Sequence, residues 1–244
     1  MGRDKKNVAG REEACVAVCA ACETLHTALP EAAPETQPTA LPETASKTPP
    51  RRCAWVNLKN PLYVQYHDTE WGVPLHNDRA LFELLILEGF QAGLSWECVL
   101  NKRAHFREVY DGFDVEKVSR YGEEKIEALL SDAGIIRNRR KVLASIANAN
   151  IFRQIQAEYG SFDAYIWHFT GGKTIDESYT VRTTSPLSDE ISNDLKKRGM
   201  RFVGSTVIYS YLQSIGVLFA HGPECDCCPK GAPSTLPERK INEE

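Results

Sequence analysis

No stretch of this 244-residue chain approaches the roughly 18 to 20 consecutive apolar residues that a membrane-spanning helix needs. Nor does it open with the charged-then-apolar pattern of a secretory signal. Position 6 of the opening Met1-Gly2-Arg3-Asp4-Lys5-Lys6 carries no Ser or Thr, so a myristoyl anchor is not expected. No run alternates apolar and polar residues well enough to be a strand, which argues for an all-helical protein. The chain also lacks an excess of positive charge, its net value being -4, which argues against indiscriminate binding to polyanions while leaving room for a local basic patch. A soluble intracellular protein is expected, monomeric, with no obligate protein partner and no contact with a membrane. Its compartment would be the nucleus in a eukaryote or the cytoplasm in a bacterium.

Eight cysteines in an intracellular chain read as thiols or metal ligands rather than as a disulfide framework. Cys15, Cys19 and Cys22 lie at helical spacing near Glu12 to Cys22, where unpaired thiols on a short frayed helix are the plainer reading and a metal role the sharper one. Residues 1–50 are rich in Ala, Pro, Thr and Glu, with prolines at 30, 34, 38, 42, 49 and 50, and read as a disordered extension. Seven acidic against five basic residues there weaken a transit-peptide reading and leave organelle targeting open. Residues 51–230 read as one domain and 231–244 as a polar tail.

Within the domain, Ser, Asp or Asn starts and Gly stops punctuate helices. They are expected at Asp78 to Glu88, from a Ser95 cap through Val99, Leu100, Phe106 and Val109, at Val115 to Tyr121, and at Glu123 to Leu130. Further ones fit Arg137 to Tyr159 (a break allowed), Phe162 to Phe169, Ser188 to Arg198, and Thr206 to Ala220. Between two of them, Asp132-Ala133-Gly134-Ile135-Ile136-Arg137-Asn138-Arg139-Arg140-Lys141 makes a glycine turn that reads as a helix-hairpin-helix. Free N–H groups at the start of the second helix, ringed by Arg137, Arg139, Arg140 and Lys141, suit a phosphate; a solvated basic helix fits the segment equally well. A second basic junction, Lys196-Lys197-Arg198-Gly199 through Arg201-Phe202-Val203-Gly204, again leads into a helix. Two such sites favour a protein that grips a nucleic-acid backbone without reading sequence.

Cys53 and His67 near the start of the domain, with His221 and Cys225 near its end, offer two sulfurs and two imidazoles, a set that structural zinc takes as a closed tetrahedron. Cys227 or Cys228 could stand in for Cys225 on spacing alone. Aromatic rings concentrate at Trp55, Tyr63, Tyr66, Trp71 and Trp96; such rings can sandwich an extruded base or simply build a core. Glu88 follows the apolar run Leu84 to Leu87, and a carboxylate buried there must find a partner, for which the N–H donors of an adenine edge are suitable. Leu94, in the turn Gly93-Leu94-Ser95, can fill the space a flipped base leaves. Asp163 reads as a first-turn acid behind the cap Ser161 rather than as a catalytic group.

Several of these blocks in order, Cys53-x-Trp55, Pro61-Leu62-Tyr63 through Tyr66-His67-Asp68-x-Glu70-Trp71-Gly72-Val73-Pro74, Leu87-Glu88-Gly89 through Gly93-Leu94-Ser95-Trp96, Asp132-Ala133-Gly134-Ile135-Ile136-Arg137, and Lys196-Lys197-Arg198-Gly199 through Phe202-Val203-Gly204, resemble the DNA-3-methyladenine glycosylase I family. The resemblance runs from about Cys53 to Cys228. It implies an all-α helix-hairpin-helix glycosylase fold whose ends are joined by structural zinc on Cys53, His67, His221 and Cys225. It implies a base pocket of Glu88, Tyr66 and Trp96, lined or supported by Trp55, Tyr63 and Trp71, with Leu94 as the wedge. Gly134, Ile136, Arg137 and Arg139 are the expected DNA-backbone contacts. The implied activity is monofunctional hydrolysis of the N-glycosidic bond of 3-methyladenine in alkylated double-stranded DNA, the opening step of base excision repair. The rivals are a non-catalytic zinc-containing helix-hairpin-helix DNA-binding module and a purely structural helical protein. The extension has no counterpart in a minimal member, and Phe90 stands beside the pocket acid where a polar residue can occur.

Overall fold

A computed structural model describes residues 49–178 and 180–228. The expected helix at 12–22, its three cysteines, the rest of the extension up to residue 48 and the tail 231–244 lie outside the described residues.

The chain is mostly helical. Asn60 accepts from the Leu62 N–H to start α1 (Pro61–Thr69), with Pro61 in the first turn where its missing N–H costs nothing. Asn77 does the same for α2 (Asp78–Gln91) through the Ala80 N–H. The single helix expected from Ser95 to Val109 is two, α3 (Trp96–Leu100) and α4 (Arg103–Val109). At the break, polar side chains are drawn into tertiary bonds: Asn101 accepts from Asn60, and the Lys102 ammonium reaches the Ala133 and Gly134 carbonyls. A 3-10 turn at Asp111–Phe113 leads to α5 (Val115–Ser119) and α6 (Glu123–Ser131). Next come α7 (Arg139–Tyr159), unbroken over 21 residues, and α8 (Phe162–His168), capped by Ser161 as expected. A capping box of Ser185 and Ser188 starts α9 (Pro186–Lys197), and α10 (Ser205–Ser214) follows.

The all-helical expectation needs one amendment. The helix predicted from Thr206 to Ala220 stops at Ser214, because Gly216 takes φ +74° and lies so close to the Val73–Pro74 backbone that a Cβ would overlap it. Beyond it, β2 (Leu218–Phe219) pairs in parallel with β1 (Ile175–Asp176). Two residues per strand are too short for an alternation to be visible in sequence. Among the described residues, no helix is long and apolar enough to cross a membrane.

The centre of the domain is α2, packed against α7, α8 and α10. Leu81, Phe82, Leu84, Leu85, Ile86, Leu87 and Phe90 are all buried, so the helix is apolar nearly all round, as a core helix must be. Two glutamates are buried with them, and their circumstances differ. Glu83 accepts from Arg103 at 2.5 Å and Arg107 at 2.9 Å, and Arg103 also reaches Glu70 at 2.7 Å. Glu88 has no such partner among the described residues. Removing the hub of the first network by Arg103→Met is expected to cost about 3–5 kcal/mol, because it strands a buried carboxylate. Urea unfolding at neutral pH measures it, and a loss below about 1 kcal/mol would show the network to be water-stabilised instead.

Candidate active site and metal centre

The elements converge on a cleft of about 200 Å³ lined by Trp55, Tyr63, Tyr66, Trp71, Glu88, Gln91, Trp96, Ser210 and Gln213. Two rings come from α1, Trp71 from the turn that ends it, Glu88 and Gln91 from α2, Trp96 from the first turn of α3, and the last pair from α10. The rings pack edge-on or tilted: Tyr66 on Trp96 at 5.2 Å, Trp55 on Tyr63 at 5.4 Å and Trp55 on Trp71 at 4.8 Å between centroids. Trp55 remains 40% exposed, so it forms the mouth of the cleft rather than its floor.

Glu88 is 3% exposed and makes no hydrogen bond to any described residue, its Oε2 being buried and unsatisfied. Burial alone pushes its pKa up to about 8. Among the described residues, the indole Nε1 of Trp96 is the other buried side-chain polar atom left without a partner. An orphaned acceptor and an orphaned donor thus share one aromatic-walled cleft, an arrangement that costs free energy until a ligand supplies the complementary edge.

Gln91, Ser210 and Gln213 were not singled out by sequence reasoning. Their signal was spacing: Gln91 follows Glu88 by three residues, and Ser210 precedes Gln213 by three, each pair sharing a helix face. Phe90 is turned away from the cleft and packs on Phe106 at 4.9 Å, so its apolar character belongs to the core. Leu94 is 43% exposed on the turn after α2, where Gly93 takes φ +82°.

Beside the cleft lies the cysteine and histidine cluster. The ligand atoms of Cys53, His67, His221 and Cys225 all lie within 4.8 Å of one another. Cys225 Sγ is 3.5 Å from both His67 Nε2 and His221 Nδ1, and Cys53 Sγ is 3.7 Å from His221 Nδ1. Tetrahedral zinc with ordinary bond lengths has sulfur–nitrogen edges of about 3.5 Å, so the donors fit that ion. The outer nitrogens are held as metal-bound imidazoles usually are: His67 Nδ1 lies 2.7 Å from Asp68 Oδ1, and His221 Nε2 lies 3.0 Å from the Trp71 carbonyl oxygen. Burial lowers the His221 pKa to about 4, keeping its ring neutral. Of the three late cysteines it is Cys225 that joins the set; Cys228 faces Ser178, and Cys227 lies against Asp68.

The basic segments are less free than their sequences imply. Seven residues, 132–138, separate α6 from α7, within a residue or two of the expected bounds. The Gly134 N–H donates to Asp132 Oδ1 at 2.7 Å, and a Cβ on Gly134 would overlap the His105 ring, itself 2.8 Å from Asp132 Oδ2. Arg139 is held by Glu123 and Glu127 of α6, and Arg198 by Asp194 and Glu158. Lys141 is buried rather than turned to solvent. Ile136 is half-buried and Arg137 exposed, and neither backbone N–H donates within the described residues. Arg140 and Arg201, one from each basic junction, flank a single groove with Leu143 and Phe202, and no ion pair engages either among the described residues. Asp163 sits in the first turn of α8, 2.8 Å from His76 Nδ1 and outside the cleft.

Comparison with known proteins agrees with this architecture. The family model for methyladenine glycosylases matches residues 55–228. The chain is 43% identical over 189 residues to the DNA-3-methyladenine glycosylase 1 of Escherichia coli strain K12, covering 75% of this chain and 99% of that one. A crystal structure of a 3-methyladenine DNA glycosylase I superposes with TM-score 0.71 at 42% identity, over 73% of this chain and all of the other. The Staphylococcus aureus enzyme, solved to explain 3-methyladenine recognition, gives TM-score 0.68 at 34% identity, over 71% of this chain and 95% of its own. With the family model spanning most of the chain and the cleft and cluster inside that span, the chain belongs to the methyladenine glycosylase family.

Proposed function

We propose that this chain is a monofunctional DNA glycosylase that hydrolyses the N-glycosidic bond of 3-methyladenine in alkylated DNA and so begins base excision repair. The observation that carries the reading is Glu88, a buried carboxylate without a partner at the base of an aromatic cleft. An adenine alkylated at N3 brings N–H donors and a positive charge, and both favour an ionised carboxylate in a place that otherwise disfavours one. The unpaired Trp96 N–H and the rings of Tyr66 and Trp96 complete the grip on the base, with Tyr63, Trp55 and Trp71 as supporting walls.

Because the alkylated base departs as a neutral molecule, its bond to deoxyribose is already weakened and the site needs little acid catalysis. Extrusion and selective binding supply the rate, and water attacks the sugar. No lysine lines the cleft, in keeping with hydrolysis rather than attack by an amine. Leu94 is the wedge that occupies the vacated stack. The segment from α6 to α7 is read as a helix-hairpin-helix whose free N–H groups at Ile136 and Arg137 face a phosphate, with Arg140 and Arg201 on the adjoining backbone. Gly134 serves there by shape and Arg139 by bracing α6. Zinc on Cys53, His67, His221 and Cys225 is a structural clasp between the domain ends, and the enzyme acts as a monomer on duplex DNA.

The test is release of base from duplex DNA treated with a methylating agent, resolved by chromatography. Free 3-methyladenine in excess of 7-methylguanine is expected. A folded, metal-loaded chain that binds the duplex and releases nothing would favour the DNA-binding module, and equal release of both bases would mean a broader pocket.

A further inference from the structure

Lys141 occupies a place that elementary electrostatics disfavours. It is 7% exposed, it lies in the first turn of α7, where the helix dipole opposes a cation, and no carboxylate pairs with it among the described residues. Burial lowers the pKa of its ammonium. Among the described residues the ammonium's hydrogen-bond acceptors are two carbonyl oxygens, those of Phe90 and Ala92, each at 2.7 Å. These belong to the end of α2, where Ala92 leaves the helix at φ -45° and ψ 113° and the chain enters the turn carrying Leu94.

A residue so costly to bury is retained for what it connects. The two carbonyls it holds flank Gln91 and follow Glu88 along α2, and the second leads into the turn that carries Leu94. The lysine itself stands in the first turn of α7, which carries Arg140 and follows closely on Ile136 and Arg137. The Phe202 ring, whose backbone takes φ +56°, lies 6.0 Å from the nitrogen, and Arg201 beside it is fastened to α7 through both hydrogen bonds of the Asn148 amide. Three segments that the proposed function assigns to base, wedge and backbone therefore meet at one side chain that itself touches none of those ligands.

We infer that Lys141 is a positioning residue that fixes the spacing between the base pocket with its wedge and the elements that hold the DNA backbone. The inference rests on the glycosylase reading. With the hairpin seated on the phosphates, the two carbonyl bonds place Leu94 and Glu88 at the depth of the extruded nucleotide. Without them α2 keeps its core packing, but the Ala92–Ser95 turn that carries Leu94 loses its registration against α7.

Full-length Lys141→Met, close in length and without charge, tests this in two ways. Single-turnover release of 3-methyladenine is expected to fall about 100-fold, the scale of a roughly 1 Å misplacement at a reacting centre. Binding of the free base, followed by quenching of tryptophan fluorescence, should change little, since no pocket side chain is altered. Lys141→Arg, which restores a donor to the same carbonyls, should recover part of the rate. An unchanged rate overturns the inference, as does a rate that falls only in step with free-base affinity. Amide hydrogen exchange across residues 92–95 gives a readout that needs no activity: it should quicken in the Met variant while α10 stays protected, and unaltered exchange would also overturn the inference. If the wild type releases no base, the glycosylase reading fails, and exchange alone decides whether Lys141 fixes the turn.

Discussion

Glu88→Gln is expected to lower 3-methyladenine release by about 100-fold, the loss that follows from removing charge-assisted hydrogen bonds to a cationic base. The same change should make the protein more stable in alkali. An unfolded glutamic acid gives up its proton near pH 4.5, whereas the folded chain holds the Glu88 proton up to about pH 8. Between those values the folded state binds more protons, so stability declines as pH rises through that window. Gln carries no proton to lose. At about 1.4 kcal/mol per pH decade, and allowing for a neutral amide that still lacks partners, the variant should be about 2–4 kcal/mol more stable at pH 9 and nearly equal to wild type at pH 4. Chemical denaturation at the two pH values measures this. If the variant were no more stable at pH 9, the carboxylate must already be hydrated or paired in solution. Loss of activity joined to gain of stability is the mark of a group kept for its ligand.

Removing the proposed zinc should have the larger effect on the fold. Cys225→Ser, or prolonged chelation, is expected to abolish binding of one zinc per chain and to cost at least ~4 kcal/mol, or about 8–16 °C in Tm for a domain of this size. Excision should go with it, because the Trp71 carbonyl that receives the His221 hydrogen bond belongs to a residue of the cleft wall, and the rings of Trp71 and His221 meet at 4.7 Å. Metal analysis of the purified chain, followed by thermal melts with and without chelator, provides the check. A metal-free preparation with the wild-type melting temperature would exclude a structural clasp.

How much of this was legible beforehand depended on the range over which each signal acts. Helix starts are local, and Ser95 and Ser161, the caps named from sequence, do accept the N–H groups of their own first turns; Asn60 and Asn77 do the same, although no helix was expected where Asn60 starts α1. Helix ends depend on distant contacts: α10 stops where Gly216 meets Val73 and Pro74, and the break between α3 and α4 lies where Lys102 finds carbonyls 31 and 32 residues away. Chemistry-bearing residue types were visible at Glu88, Trp96 and the two cysteine–histidine pairs, since a buried acid and widely separated ligands stand out against their neighbours. What sequence could not convey was which charges were already taken. Arg139 and Lys141 read as phosphate contacts because their partners, two glutamates on α6 and two carbonyls at the end of α2, lie outside the basic run itself.

The meeting of the domain ends has an architectural consequence. Arg51 and Asp226, 175 positions apart, exchange backbone and side-chain hydrogen bonds, with the Asp226 N–H donating to the Arg51 carbonyl at 2.9 Å. The domain is thus close to a closed ring of chain. A ring has no privileged beginning: a short linker from 228 to 51 would complete it, and new termini opened at the exposed Gly171-Gly172 turn would leave the cleft, α2 and the cysteine–histidine cluster in place. Circular order is therefore a degree of freedom for this fold, and a partner domain could be grafted at the turn as readily as at either natural end.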